Sequence, residues 1–539
     1  MSPLARAAAL LVLACVSCWP ALDGAFLWDD DAYVSQNPAL RDGAGLVRIW
    51  VEPGATPQYY PLVFTSFWVE WQAFGAWTVP YHLTNLLLHA ASGLLVWRLL
   101  VRLAPAGLAG EELERLAWAV AAAFVVHPVC VESVAWITER KNVLSLALYL
   151  GATAAWQRFS PAASGIGAAP AWRWYAAALG LYVGAMLAKT VTSTWPAAML
   201  VLAWWKRGRL ERRELAALAP AFAIGLLFAW TTVTLERDHV GAAGEAWALS
   251  PLARLLLAGR IAWFYLGKLL LPVPLAFVYP RWDPDPALPA NWAWSPLLLA
   301  ALAALLLLRA RLGRGPLAAA LLWLGTLVPA LGFFDVYPFL FSWVADHFQY
   351  HAMPALLAAL VTGAGLALRR LPEQSRRLGP LLLGCWLLSL ALLARNHAAT
   401  FTDREALWRA TLAENPDAWL AHNNLGNLLA DRGEVAEAAE HYAQAVRLAP
   451  GQPSHRLNFA WACSRLGRVR EADEQFEAAL ALEPDAAQVH FTWGEHLERT
   501  GRLEQAAARF EQALRLDPGA EVVRLRLERL RREQELRGR

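Results

Sequence analysis

Phe26-Leu27-Trp28-Asp29-Asp30-Asp31-Ala32-Tyr33 follows the first long apolar stretch of the chain, residues 6–22, and the reading of the fold turns on it. A run of membrane length that ends in three adjacent carboxylates between aromatic residues reads as a span delivering acids to the bilayer edge. The remainder repeats the apolar theme. Of 539 residues, 57% are hydrophobic and 17% charged, too apolar for an ordinary soluble protein. Residues 1–396 alternate Leu/Ala/Val/Trp stretches with short polar joints, whereas 401–539 has the composition of a soluble helical protein. A formal charge of +3, with its basic residues gathered in the joints, gives no footprint for nucleic acid. Many of the 28 tryptophans sit near span ends (Trp71, Trp77, Trp172, Trp174, Trp204, Trp205, Trp292, Trp294), as headgroup-level anchors do.

A hydrocarbon core takes about 20 apolar residues per helix. On that measure about eleven spans are expected, at 6–22, 82–101, 114–129, 142–157, 172–188, 192–206, 214–233, 292–309, 316–333, 353–368 and 378–395. The stretch 251–275, with Arg254, Arg260, Lys268, Pro272 and Pro274, reads as a re-entrant or interface-lying helix, with a full crossing as the alternative. Charge bias favours the first choice. With the N-terminus cytoplasmic, the basic joints at 206–214, 309–314 and 369–377 all fall inside only if 251–275 does not cross. Residues 29–81, 127–142, 236–291, 334–351 and the C-terminal module then share the exoplasmic face. The opening Met1-Ser2-Pro3-Leu4-Ala5-Arg6 reads as part of an uncleaved anchor. Cys15 and Cys18 lie within an apolar helix, and the five cysteines suggest neither a disulfide framework nor a zinc cluster.

Pro416, Pro450, Pro484 and Pro518 recur every 34 residues, as do Gly433, Gly467 and Gly501, and Ala438, Ala472 and Ala506. A 34-residue unit of two antiparallel helices is the tetratricopeptide signature. Tyr442, Phe476 and Phe510 fill equivalent core positions. The organisation expected is therefore all-α: a polytopic membrane domain over 1–396, a linker with one degenerate repeat helix over 397–416, three repeats over 417–518, and a capping helix over 519–539. The repeat surface fits an acceptor protein, a partner subunit, or the membrane domain itself.

Four polar groups bear chemistry. Asp29, Asp30 and Asp31 are either a solvated turn or, given their aromatic flanks and the loop with Trp50, Tyr59 and Tyr60, carboxylates at the bilayer edge with raised pKa and base character. Segment 62–76 reads as an amphipathic surface helix carrying Glu70. His127, Glu132, Arg140 and Lys141 occupy a short outer turn. The basic pair fits a lipid phosphate or headgroup snorkelling, and His127 with Glu132 lacks a third metal ligand, so no metal is assigned. Lys189, followed by hydroxyl-bearing Thr192, Ser193 and Thr194, needs a partner at membrane depth, and a donor phosphate would serve, as it would for Arg260 and Lys268. Finally, Asp346, His347, Tyr350 and His351 would form two adjacent stripes if helical, contacting donor or acceptor, or else a plain polar helix start.

Taken together, the Phe26–Tyr33 stretch, His127-Pro128-Val129 through Trp136 to Glu139-Arg140-Lys141, Trp263-Phe264-Tyr265-Leu266-Gly267-Lys268 with Tyr279-Pro280-Arg281-Trp282, and Val344-Ala345-Asp346 resemble the bacterial relatives of the transmembrane-and-TPR O-mannosyltransferases, within the GT-C-type glycosyltransferases. The resemblance implies a bacterial cytoplasmic (inner) membrane location and a periplasmic repeat module. It also implies transfer of a hexose, mannose being expected, from a polyprenyl-phosphate donor to a protein Ser/Thr hydroxyl. No further cofactor is implied. The family's catalytic acidic pair falls on Asp29 and Asp30. One departure stands out: where relatives carry Arg-Tyr after the acid, this chain has His347-Phe348, which removes an arginine fork for phosphate. A glycosyltransferase acting on a lipid or surface polysaccharide, and a non-catalytic scaffold using the repeats for envelope assembly, are the alternatives.

Overall fold

Every regular element among the described residues is helical. The computed structural model describes residues 2–104, 107–159, 172–235 and 248–537. The chain divides into two compact units, Met1–Leu407 and Trp408–Arg539.

In the first unit, five described helices are long and apolar enough to cross a membrane: Pro3–Ala21, Val79–Leu103, Arg212–Leu235, Pro289–Leu307 and Glu373–Phe401. The bent pair Gly110–Val126 and Pro128–Ala135 makes a sixth if it is one span. This falls short of the eleven expected, for physical reasons visible in the helices. Gly315–Ala330 and Met353–Leu368 are apolar but short. The Arg140–Phe159 helix opens on Arg140 and Lys141. Residues 160–171, and the 236–247 part of the expected outer loop, lie outside the described residues. Over 251–275 there is one helix, Pro251–Leu270, started by the Ser250 side chain capping the Ala253 N–H at 3.2 Å. It ends before Pro272, as a chain approaching two prolines must.

Broken helices position the interior. Pro128 disfavours helical geometry at the residue before it, and His127 is extended (φ −72°, ψ 127°). The axis turns by 53° there. Trp136 is again extended (φ −83°, ψ 118°), and a single tight turn, Ile137–Glu139, precedes the Arg140–Phe159 helix. A third break falls at Lys189 (φ −164°, ψ 126°), between Trp172–Ala188 and the Thr190–Thr194 turn. Non-helical backbone at membrane depth is tolerated where it is buried in protein, and residues 126–143 are almost entirely buried. The expected surface helix is Pro61–Phe74, whose Glu70 faces inward and is buried.

In the second unit, Trp419–Asp431 pairs with Val435–Leu448, Pro453–Arg465 with Val469–Leu482, and Ala487–Arg499 with Leu503–Leu516, followed by Glu521–Arg537. Gly433, Gly467 and Gly501 take φ of +82°, +75° and +78° at the turns within the pairs, a conformation that favours glycine. Inside the first and third pairs an aromatic ring nests on a glycine sixteen positions earlier. A Cβ at Gly426 would come within 2.7 Å of the Tyr442 ring, and one at Gly494 within 2.5 Å of Phe510. Alanine in a helix ordinarily gains about 1 kcal/mol over glycine. Overpacking a filled core costs about 1–3 kcal/mol. Gly494→Ala should therefore lower the melting temperature of the repeat unit despite its better propensity, as read by limited proteolysis of the full chain across a temperature ramp. A variant as resistant as the wild type would mean that the ring moves aside freely.

Candidate functional site

The three aspartates have three different environments. Trp28, at φ +20°, stacks on Trp136 (centroids 5.9 Å) and meets the edges of Phe277 and Phe341. This packing fixes the turn from which the acids project. Asp30 is fully buried: one carboxylate oxygen accepts from the Leu27 N–H at 2.8 Å, the other from the Thr138 N–H at 2.8 Å and from the Thr138 hydroxyl. Burial pushes Asp30 up to about 7, against the pull of those hydrogen bonds. Asp31 accepts from the Ser35 hydroxyl at 2.6 Å and pairs with Arg404 at 2.5 Å, whose Nε also reaches the Phe26 carbonyl. Asp29, like Asp31, keeps a partly exposed side chain, and it lies in electrostatic reach of Lys141, Glu139 and His347. Burial raises it, Lys141 lowers it, Glu139 raises it and His347 lowers it, and the upward pull wins.

Behind Asp29 lies a polar seam. Glu139 pairs with Lys141 at 3.0 Å and with Lys189 at 3.4 Å, and the His347 Nε2 is 3.9 Å away. Burial would raise the Glu139 carboxyl, but His347, Lys141 and Lys189 outweigh it and hold it well below the usual carboxylate range. The Lys189 ammonium also donates to Asn142 Oδ1 at 2.7 Å, and the Asn142 amide donates to the Ser133 hydroxyl and the His347 carbonyl. Glu132 receives both the backbone N–H of His347 (3.0 Å) and its Nδ1 (2.8 Å). Lys141 further lies over the rings of Tyr33 (5.3 Å) and Trp136 (5.8 Å). So the seam holds a partly exposed carboxylate, two lysines and an imidazole fixed at two points. That set can accept a proton at one end and neutralise an anion at the other.

Other expected residues have other surroundings. Arg140 is fully buried against Glu70 (3.1 Å), the Ser66 hydroxyl (3.1 Å), the Tyr81 carbonyl (2.9 Å) and Asn85. His127 is spent on the Leu269 carbonyl and the Val129 N–H. Tyr350 faces His89 at 2.8 Å, in the helical core. Arg260 lies over Trp282. Lys268 lies over Tyr279, whose hydroxyl donates to Asp346 at 3.0 Å. Burial and the neighbouring Glu132 push Asp346 well up. The two stripes expected of 346–351 are absent, because Asp346–Gln349 is a 3-10 turn and the α-helix starts only at Met353. Asp346, His347, Tyr350 and His351 consequently point to Tyr279, Glu132, His89 and Ser145.

Glu139, Thr138, Asn142 and Ser133 carry the seam without having been singled out by sequence. The signal for Glu139 was nonetheless present: two cations in an apolar stretch require an anion, and Glu139 is the acid adjoining them. Removing one partner of a buried ion cluster costs about 3–5 kcal/mol. Glu139→Gln, which leaves Lys141 and Lys189 facing each other, should lower the melting temperature of the detergent-purified protein clearly more than Asp31→Asn. Equal melting temperatures would show the cluster to be solvated.

A tetratricopeptide repeat family model matches residues 404–453 and 457–521. Three curated proteins are similar over part of the chain. They are a protein O-mannosyl-transferase of Caenorhabditis elegans (27% identical, 26% of this chain, 22% of that protein), Tmtc3 of Drosophila melanogaster (28%, 26% and 18%) and Tmtc1 of the same fly (30%, 29% and 18%), both protein O-mannosyl-transferases. The aligned part thus spans about a fifth of the length of these relatives. Among solved structures, an Arabidopsis TPR domain aligns with 22% of this chain and 96% of its own, at 23% identity and a TM-score of 0.21.

Proposed function

We propose that this chain is a membrane glycosyltransferase that moves a hexose from a polyprenyl-phosphate donor to a hydroxyl acceptor. The observation that carries the reading is the seam itself: Asp29, partly exposed, lies in electrostatic reach of Lys141, which shares the Glu139 carboxylate with Lys189. Asp29 takes the proton of the acceptor hydroxyl as its oxygen forms a bond to the anomeric carbon. The bond from that carbon to the phosphate oxygen breaks, and its electron pair leaves with the phosphate. Lys141 and Lys189 steady the departing charge. A single displacement inverts the anomeric centre. Asp30, fixed to Thr138, is the close supporter that holds the acidic turn against the seam.

The O-mannosyl-transferase relatives support mannose as the sugar and a protein Ser/Thr hydroxyl as the acceptor. The charge bias of the joints supports an orientation with the repeats outside, and the motif resemblance supports a bacterial cytoplasmic membrane protein of about eleven spans, counting short and broken helices. One feature favours a second reading. The repeats offer an extended docking surface of their own, which suits a scaffold for envelope assembly.

General-base loss costs roughly 10²–10⁴-fold. Asp29→Asn should cut transfer from a synthetic polyprenyl-phosphate mannose, measured in nanodiscs, by at least about a hundredfold. Asp31→Asn should leave most activity. Near wild-type transfer by the Asp29 variant would remove the mechanism. A wild-type protein that never transfers, yet retains an envelope partner through 417–518, would establish the scaffold reading.

Sidedness is tested separately. A cysteine replacing Glu495 should react with a membrane-impermeant thiol reagent in intact spheroplasts. Labelling only after lysis would put the repeats on the other side and sink the proposed orientation.

A further inference from the structure

A large cavity of the first unit reaches the edge of the acidic seam at His351, which is in electrostatic reach of Lys189 and Glu139. It measures about 470 Å³ and is walled by the Val79–Leu103, Arg140–Phe159, Trp195–Arg207, Gly315–Leu327 and Met353–Leu368 helices. Most of the wall is Leu, Ala, Val and Met. Neither Lys141 nor Lys189 lines it, and His351, at its far end, is bonded to the Ser145 hydroxyl. The cations that do line it are Lys206 and Arg314.

These two are adjacent and differ from the basic residue next to them. Arg207 pairs with Glu211 and Glu214. Lys206 instead donates to the Leu103 and Ala104 carbonyls, and Arg314 reaches only the Lys206 carbonyl, at 3.5 Å. Among the described residues no carboxylate pairs with either. The Arg314 guanidinium packs against Gly208, which has φ +77° and no side chain to obstruct it. Gly313 to Pro316 also line this mouth, so the uncapped start of the Gly315–Leu327 helix adds its positive dipole end. Two unneutralised cations beside a helix start form an anion-attracting entrance to a space whose walls are hydrocarbon.

Arg314 and Thr326 both line the cavity, twelve residues apart and so about 18 Å along the helix axis. That is close to half of a hydrocarbon core of about 30 Å. The volume lies within the range of about 300–1,000 Å³ that holds a small organic ligand.

We propose that this cavity binds an anionic phospholipid of the leaflet on the Lys206 side, its phosphate between Lys206 and Arg314 and one acyl chain running up toward Thr326. Its headgroup end uses neither lysine of the seam, and the proposal does not depend on the glycosyltransferase reading. Basic pockets between membrane helices are known takers of anionic headgroups, and here the pocket continues into an acyl slot. The occupant is resident lipid, filling a space that an apolar protein would otherwise leave empty beside its broken helices.

The test uses the full chain, delipidated in detergent and titrated with phosphatidylglycerol, phosphatidylcholine or a polyprenyl phosphate, with bound lipid read by native mass spectrometry. Phosphatidylglycerol should bind, and phosphatidylcholine should bind far more weakly. Lys206→Gln combined with Arg314→Gln should weaken phosphatidylglycerol roughly thirtyfold. The charge-keeping pair Lys206→Arg with Arg314→Lys should retain it. Ala355→Trp, which fills the slot and leaves both cations, should also lose it, with melting in phosphatidylcholine micelles unchanged. Undiminished binding in both the charge-removing and slot-filling variants would overturn the proposal. So would displacement of phosphatidylglycerol by polyprenyl phosphate in the wild type, since the cavity would then belong to the donor.

Discussion

A charge inside an apolar protein has to be paired, and this requirement organises the first unit. Water is not at hand to solvate an ion there, so each buried cation recruits a carboxylate or a set of carbonyls. Arg140 has Glu70, Lys141 and Lys189 share Glu139, and His347 is bound twice to Glu132. Asp29 and Glu132 add their charges to Glu139 around the two lysines, so the seam is a network of several charges and not a single ion pair. Arg140, with one acid, two further side-chain partners and a carbonyl, has its donors occupied by the protein. Lys189 divides its donors between Glu139 and Asn142, and Lys141 has Glu139 and two ring faces.

Regular helices could not have brought these groups together. A straight span distributes its residues around a cylinder every 100° or so, and neighbours in sequence diverge. The extended residues at His127, Trp136 and Lys189 interrupt that rotation. Glu132, Glu139 and Lys141 come from one short segment and still converge with Lys189 and His347 from elsewhere in the chain. The same breaks shorten the helices around them, which is why so few elements reach full membrane length by themselves. Loss of length and gain of a polar seam are one structural event.

Much of this was legible in sequence, and the boundary between legible and hidden has a physical origin. The 34-residue recurrence of Pro, Gly and Ala in the repeats is a local signal, because each such residue answers a local demand: a turn with positive φ or a close helix approach. Asp29, Lys189 and His347 could be picked out as ionisable groups beside apolar runs. Hidden was the pairing. Arg140 and Lys141 are adjacent and chemically alike, and nothing local says that one meets Glu70 in the Pro61–Phe74 helix while the other meets Glu139. Nor does the 346–351 spacing reveal that its backbone is a 3-10 turn, which sends its side chains in four directions. The count of eleven spans treated each apolar run as a straight helix, an assumption that the His127-Pro128 step defeats.

The acidic triplet shows how finely partners divide labour. Asp29, Asp30 and Asp31 differ by a single residue each, and composition gives no reason to prefer any of them. Asp30 meets two backbone donors and a hydroxyl, so its oxygens are committed to holding the turn. Asp31 meets Arg404, a partly exposed pair that ties the turn after the first helix to the helix after the last long span. Both are saturated. Asp29 is left with charge neighbours and an open side, under a burial that raises its affinity for a proton and a lysine that keeps part of its charge. A base needs an accessible lone pair and a pKa lifted toward the working pH. Asp29 combines a partly exposed side chain with a carboxyl raised by burial, because its neighbours in sequence have taken up the fixed donors around the turn.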